Sequence, residues 1–311
     1  GLYDQIKAKE FVHTDELVDA QDQTLVRFSL NAQPEYEGDF EIHRRDLLEI
    51  LYKSVEDRVN WLFGNSVTAL TQHDDRVDVA FRDGTRESFD FVFGADGTHS
   101  AIRRLTFGDE KQFKTFFGAY FAFVSADHID TGRPRNTGVV FRAVDKQVLL
   151  YQFADAVYGI VIFRSLELDW DHHDREQQRQ ILRDRFGNDT DWKIPDILDA
   201  LVSSEDLYFD EVAQIHLPTW SSGRVALVGD AAHAPSFFTG MGTSLAMIGA
   251  ATLAKALQDN DDYRDAFAQY QDRHQPFAQS IQSRITQGMK YQLPANEAEL
   301  QASIDRFRSI A

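Results

Sequence analysis

No cysteine occurs among the 311 residues of this chain. Disulfides, thiolate metal sites and a cysteine nucleophile are thereby excluded, while cytosolic and exported proteins both stay compatible. The sequence also lacks any run near the roughly 18–20 apolar residues that a membrane-spanning helix needs, and it has no basic-then-apolar leader. A soluble, cytoplasmic protein is the expectation. Positive charge is scarce as well: 32 Lys and Arg against 50 Asp and Glu leave a formal net charge of −18. Nucleic acid and anionic membrane would meet a repulsive field over most of such a surface. Internal repeats and low-complexity tracts are missing. The first residue is Gly1, not Met, inside what reads as a helix end (Gly1-Leu2-Tyr3-Asp4-Gln5-Ile6), so the chain looks entered partway through.

What is present is a globular composition, with 43% apolar residues, enough for one large domain or two closely joined ones. In so acidic a chain the local basic clusters are informative. The main ones are Arg44-Arg45, Arg103-Arg104 and the Arg133/Arg135 pair, and a dinucleotide pyrophosphate needs such company.

Periodicity places the elements. Ile42, Leu47, Leu48 and Leu51 form the stripe of an amphipathic helix over 41–53. Residues 77–81 and 88–95 alternate as strands around the turn Arg82-Asp83-Gly84-Thr85. From about 113 to 165, aromatic and β-branched segments (116–124, 138–144, 147–153 and 158–163) predict an antiparallel sheet. Helices are expected over 174–186, 196–203, 242–258 and 263–290, and a strand over 207–217. Arg224-Val225-Ala226-Leu227-Val228 is a short, continuously apolar run, the pattern of a parallel strand buried on both faces.

Two strand-to-helix junctions carry the chemistry. In the first, a strand ends in Gly94-Ala95-Asp96-Gly97, and Ser100 is placed to cap the helix behind it. Helix-end amides with Arg103-Arg104 would make an anion site, although a generic strand-to-helix turn reads equally well. The second junction is Gly223 to Pro235, then Gly240-Met241-Gly242-Thr243-Ser244. Asp230 follows the buried strand at its carboxyl end, the usual ligand position of an open α/β sheet. Gly240 and Gly242 let a flat ring approach the backbone, and the helix from about 242 would aim its positive end at that ring.

Both junctions resemble the two internal FAD motifs of the class A flavoprotein monooxygenases. That group includes para-hydroxybenzoate hydroxylase, ubiquinone-pathway hydroxylases and the tetracycline-inactivating monooxygenases. Ile42-His43-Arg44-Arg45-Asp46-Leu47 is similar to the family's Arg-x-x-Leu helix, and the order of motifs is kept over essentially the whole chain. The resemblance implies an α/β fold: an incomplete Rossmann-like FAD-binding domain (1–110 and 207–265), an inserted antiparallel-sheet substrate domain (111–206) and a C-terminal helix (266–311). It implies that Arg44 contacts the FAD ribose–pyrophosphate region, with Asp96 and Gly97 near the pyrophosphate. Arg103 would serve FAD or the incoming NAD(P)H, and Asp230 the ribitol or pyrophosphate. Pro235, Gly240, Met241 and Gly242 would line the isoalloxazine.

No side chain is a catalytic nucleophile in this scheme. Reduced flavin takes up molecular oxygen as a C4a-hydroperoxide that hydroxylates an aromatic or polycyclic small molecule, and the protein supplies position and a dry pocket. Phe116, Phe117, Tyr120, Phe141 and Gln152 are candidates for the substrate wall, with plain core as the other reading. The family's opening Gly-x-Gly-x-x-Gly segment is absent, since Gly1, Gly38 and Gly64 stand isolated. The chain is accordingly expected to be a fragment of a longer protein, monomeric or homodimeric.

Competing readings are weaker. Asp171-His172-His173-Asp174 looks like a metal site but reads as a solvated helix start. Gly242-Thr243-Ser244-Leu245-Ala246 faintly resembles a hydrolase elbow, yet no buried strand directly precedes it. His233 is expected to pack beside its turn rather than to act as a base. Trp192-Lys193-Ile194-Pro195 is similar to the tail of a halogenase motif whose upstream Trp is here Thr190. A flavin reductase of the same fold and a non-catalytic remnant remain as alternatives to the monooxygenase.

Overall fold

The computed structural model describes residues 1–29, 41–153 and 156–311; Gly38 lies outside them. In chain order the first elements are α1 (Leu2–Lys7), β1 (Glu10–Phe11), β2 (Thr14–Val18), β3 (Thr24–Phe28), β4 (Glu41–Ile42) and α2 (Arg44–Val55). Next come β5 (Val67–Gln72), β6 (Val77–Phe81), β7 (Arg86–Phe89), β8 (Val92–Gly94), α3 (Ala101–Phe107) and β9 (Lys114–Ser125). The middle holds β10 (Thr137–Ala143), β11 (Lys146–Phe153), β12 (Ala156–Arg164), α4 (Arg175–Phe186), α5 (Ile194–Ser203) and β13 (Tyr208–Ile215). The last are β14 (Ser221–Ser222), β15 (Val225–Leu227), α6 (Asp230–His233), α7 (Gly242–Asp259), α8 (Tyr263–Gln282), α9 (Ile285–Gln292) and α10 (Glu297–Ser309). They group into two compact units, one of residues 1–61, 118–211 and 290–311, the other of 62–117 and 212–289.

The first unit is built on a seven-stranded sheet in the order β13-β9-β12-β11-β10-β2-β3. The predicted strands of the 113–165 region are its centre, paired antiparallel through β9, β12, β11 and β10. β2 joins β10 in parallel, with Gly138 opposite Asp15 and Val139 opposite Glu16. Strand alternation then sorts the side chains. Val139, Leu150, Gly159 and Val124 share one face, which α5 covers: a Cβ on Gly159 would lie 3.2 Å from the Cγ2 of Ile197. Gly138, Tyr151 and Tyr158 share the other. There α10 packs by Phe307 on Phe28, ring centroids 4.4 Å apart, and by Ser303, whose Oγ accepts from Arg142 at 2.7 Å. Acidic residues in the first turn of α10 and basic ones in its last suit the helix dipole.

The second unit contains the pair β8 and β15, parallel as expected, with Val225 beside Val92 and Leu227 beside Gly94. β14 adds antiparallel, and β5-β6-β7 form a separate meander. One correction concerns 88–95. It is two strands, because β7 ends at Phe89 and the chain turns at Asp90, whose carbonyl accepts from Arg224, before β8 enters the parallel pair. The expected helix 263–290 likewise breaks after Gln282, where Arg284 N–H tightens onto the Ile281 carbonyl at 3.0 Å in a 3₁₀-like turn. The core gathers Val225, Ala226 and Leu227, fully buried, with Ile102, Leu245, Leu253, Phe267 and Tyr270.

Candidate functional site

At the end of β8, Gly94 is required by close packing. A Cβ there would fall 2.6 Å from Leu227 Cδ2 and 2.8 Å from Ile102 Cβ, so α3 rests directly on the strand. Gly97 turns the chain with φ +82° and faces open space. Ser100 is the N-cap of α3, as expected, accepting the Arg103 N–H at 2.9 Å. Asp96 is exposed, but its carboxylate accepts from Ser100 Oγ at 2.5 Å and from Ile102 N–H at 3.0 Å. It therefore holds the loop that displays Gly97.

Arg103 departs from the sequence expectation. Its guanidinium is fully buried and points into the protein, donating to Ala231 O at 3.0 Å, to Thr98 O and to Glu110 at 2.6 Å. Glu110 is in turn paired with His99 at 3.0 Å. Arg103 thus acts as a strut between the two junctions, and its neighbour Arg104 is the exposed one.

The second junction leaves β15 through Val228, whose N–H donates to Gly94 O at 2.9 Å, and through Gly229 (φ +62°). Asp230 follows, half-buried, as the first residue of α6. Pro235 is buried, and its carbonyl accepts from Gln214 at 2.9 Å. Ser236 (φ +69°) and Gly240 (φ +67°) bracket a short turn, and a Cβ at Gly240 would meet nothing within 4 Å. Met241 is the N-cap of α7 and makes no side-chain cap bond; Gly242 begins the helix. An 18-residue helix thus presents uncapped N–H groups and its positive end beside two glycines. Asp96, Gly97, Arg103, Asp230, Pro235, Gly240, Met241 and Gly242 all belong to this unit. Arg44 belongs to the other, exposed at the start of α2, where His43 caps the helix by accepting Arg45 N–H at 3.2 Å.

His233 packs as the sequence suggested. It is 2% exposed, 4.6 Å from the Trp220 ring and 5.0 Å from that of His274. Burial first, and the neighbouring His274 second, push its pKa down to about 3, so it is neutral and is no base poised near pH 7.

The substrate candidates divide. Tyr120, Phe141 and Gln152 lie on the helix-covered face of the sheet. Tyr120 has no exposed surface, stacks between Phe163 (5.8 Å) and Phe209 (5.6 Å), and accepts the Leu168 N–H at 2.8 Å. Phe141 is buried against Trp192. Both are core residues, a correction to the expected substrate wall, because strand alternation turns them toward α4 and α5. Gln152 accepts from Thr131 at 2.9 Å. Phe116 and Phe117 are half-buried at the start of β9.

The opposite face carries what the sequence reading missed. Phe153 packs with Phe11 (4.8 Å), Tyr151 (5.3 Å), His43 (6.2 Å) and Tyr158 (6.3 Å), and His43 bonds Tyr158 at 3.2 Å. Beneath it His13 lies between Asp15 (3.1 Å) and Glu41 (2.5 Å). Burial alone would lower the His13 pKa, but the hydrogen bonds to both carboxylates outweigh it and raise the pKa to about 10. The signal was in the strand period: Tyr151 and Phe153 alternate with Gln152, so choosing Gln152 excluded them.

The family model described as an FAD binding domain matches residues 1–284. A flavin-dependent monooxygenase from Legionella longbeachae is 36% identical over 283 residues, 87% of this chain and 70% of that protein. The chain belongs to the FAD-binding family of flavin-dependent monooxygenases. Another such monooxygenase, from an unknown prokaryotic organism, is 34% identical over 249 residues, covering 78% of this chain and 63% of its own length. Among solved structures, the tetracycline destructase Tet(51) superposes with a TM-score of 0.85 at 31% identity, covering 99% of this chain and 81% of that one.

The residues present fit the family's cofactor. A Cβ at Gly97 or Gly240 would meet nothing within 4 Å, so the backbone there is open on that side, and α7 offers uncapped N–H donors to an electron-rich ring or a phosphate. No group of three or more His, Cys, Asp or Glu among the described residues is arranged to hold a metal ion, and no described helix is long and apolar enough to cross a membrane.

Proposed function

We propose that this chain forms the cofactor and substrate framework of an FAD- and NAD(P)H-dependent monooxygenase that hydroxylates an aromatic or polyketide-like small molecule. The observation that carries the reading is the convergence, in one unit, of Asp230, open glycine backbone and the uncapped α7 N-terminus next to the carboxyl ends of parallel strands, the ligand-binding end of such sheets. Bound FAD supplies oxygen transfer, with NAD(P)H as electron donor. The protein's share is binding and positioning. Asp230 accepts hydrogen bonds from the ribitol or pyrophosphate region, and Arg44 pairs with the ribose–pyrophosphate. Gly240, Met241 and Gly242 line the flat ring while the α7 dipole favours negative charge upon it. Asp96 and Arg103 hold the Gly97 loop in shape.

In this reading residues 1–110 and 207–265 serve FAD, 111–206 the substrate and 266–311 the helical closure. Phe116 and Phe117 offer flat surfaces to a planar substrate. The likeness to a tetracycline destructase supports a polycyclic ligand and antibiotic modification. The test is an absorbance spectrum of purified protein after adding FAD and gel filtration, followed by NAD(P)H oxidation under oxygen. Retained flavin bands, with NAD(P)H consumption stimulated by an aromatic or polycyclic compound that gains one oxygen, are expected. Retained flavin without oxygen incorporation would overturn the monooxygenase assignment.

A further inference from the structure

The backbone of 235–242, which the proposed function sets against the flat ring, is tied by two buried glutamines on other elements. Gln214 of β13 is 2% exposed, and Gln282, the last residue of α8, is 5% exposed. Gln214 Nε2 donates to the Pro235 carbonyl at 2.9 Å and to the Gln282 carbonyl at 2.8 Å, an oxygen that the end of a helix leaves without an intrahelical partner. Both acceptors are carbonyls, so the NH2 group must face them. The Gln214 Oε1 is then left to accept from His216 Nε2 at 3.0 Å, which fixes the orientation of the amide. Gln282 Nε2 donates to the Ile215 carbonyl at 2.9 Å and to the Ala234 carbonyl at 3.2 Å. The Ile215 N–H adds a bond to that same Ala234 oxygen at 3.1 Å.

The loop that starts from these two carbonyls is strained. Ser236 has φ +69° and ψ +148°, a region used almost only by glycine and kept by other residues only where the surroundings impose it. Gln214 fixes the carbonyl just before Ser236. Just after it, the Phe238 carbonyl lies against Gly288 of α9, where a Cβ would fall 2.5 Å from the oxygen. Ser236 is thus held between two immobilised carbonyls, and its own carbonyl accepts from Thr239 Oγ1 at 2.9 Å.

We propose that Gln214 and Gln282 are positioning residues of the flavin site, presetting the 234–242 backbone in the shape that receives the ring, so that binding does not have to order it. The inference rests on the reading that this backbone lines the isoalloxazine.

Gln271, on the same helix, gives a matched control. Its side chain clamps a different loop, donating to the Pro218 carbonyl at 2.8 Å and accepting the Trp220 N–H at 2.9 Å. Hydrogen–deuterium exchange of flavin-free protein is compared for the native chain, Gln282→Leu, Gln214→Leu and Gln271→Leu, and FAD is then titrated into each by fluorescence. Exchange over 236–242 should rise about tenfold, and FAD affinity fall about tenfold, in Gln282→Leu and Gln214→Leu. Gln271→Leu should lower the melting temperature and change neither. If Gln282→Leu does not fold, Gln214→Leu, which keeps Gln282, decides by the same readings. Exchange over 236–242 that stays at the native level, or that rises equally in Gln271→Leu, overturns the proposal. Raised exchange with unaltered FAD affinity overturns it too. A native protein that binds no FAD strikes the proposed function instead, and exchange alone then decides whether the two glutamines preset the loop.

Discussion

The guanidinium of Arg103 shows no surface to solvent, yet it meets the carboxylate of Glu110 at 2.6 Å and the carbonyl of Ala231 at 3.0 Å. One buried cation therefore ties the loop after β8 to the helix after β15. Its own ionisation is disfavoured first by burial, with Glu110 and Asp96 acting against that. Replacing it removes the closer partner of a half-buried Glu110, leaving His99, and takes the donor from the Ala231 carbonyl. Arg103→Met should lower stability by about 3–5 kcal/mol, read by urea unfolding, and Glu110→Gln should cost less because Arg103 keeps an acceptor. Equal, near-zero effects would contradict the strut.

Gly94 is set by contact rather than by backbone angle. Ala at this position forces its Cβ against Leu227 and Ile102, so overpacking of about 1–3 kcal/mol is expected. Thermal melting of Gly94→Ala against Gly97→Ala separates the causes: the first suffers from crowding, the second only from its φ of +82° in open space.

Asp230 should matter to cofactor and little to folding. Asp230→Ala is expected to weaken FAD binding about 10–100-fold, the scale of a hydrogen bond to a charged group. The melting temperature of flavin-free protein should stay put. Fluorescence titration with FAD measures the first and a thermal melt the second.

His13 links stability to alkaline pH. Burial opposes its charge, but the bonds to Asp15 and Glu41 prevail, and the folded pKa of about 10 lies above the ordinary 6.5. A raised pKa contributes stability that is complete below 6.5 and is lost as pH climbs through 10. The native protein should therefore lose more melting temperature between pH 6.5 and 10 than His13→Gln does. Parallel curves would exclude the linkage.

His233 works in the opposite direction. Its folded pKa, near 3 through burial and then through His274, lies below 6.5. The unfolded chain binds the extra proton, so stability falls as pH drops from 6.5 toward 3. His233→Phe should shift the acid-unfolding midpoint to lower pH. An unshifted midpoint would mean another group governs acid loss.

Much of this protein is determined by local sequence. The apolar run 225–227 could only be a doubly covered strand, and Gly94, Gly97 and Ser100 mark a strand-to-helix turn, because backbone angle, capping and period act over a few residues. The order of the flavin motifs came instead from the resemblance to the class A monooxygenases. Tertiary structure alone decided the rest. Arg103 looks like a ligand in the sequence, and only the distant oxygens of Ala231 and Glu110 turn it inward. Tyr120 and Phe141 look like a substrate wall, and only the docking of α4 and α5 makes their face the core and leaves Phe153 and Tyr158 on the other. His233 and Trp220 are thirteen residues apart, and their rings meet at 4.6 Å against Tyr270 and His274 because α8 packs across both. Contacts between residues far apart in the chain depend on which faces the elements bury, and no short-range pattern encodes that choice.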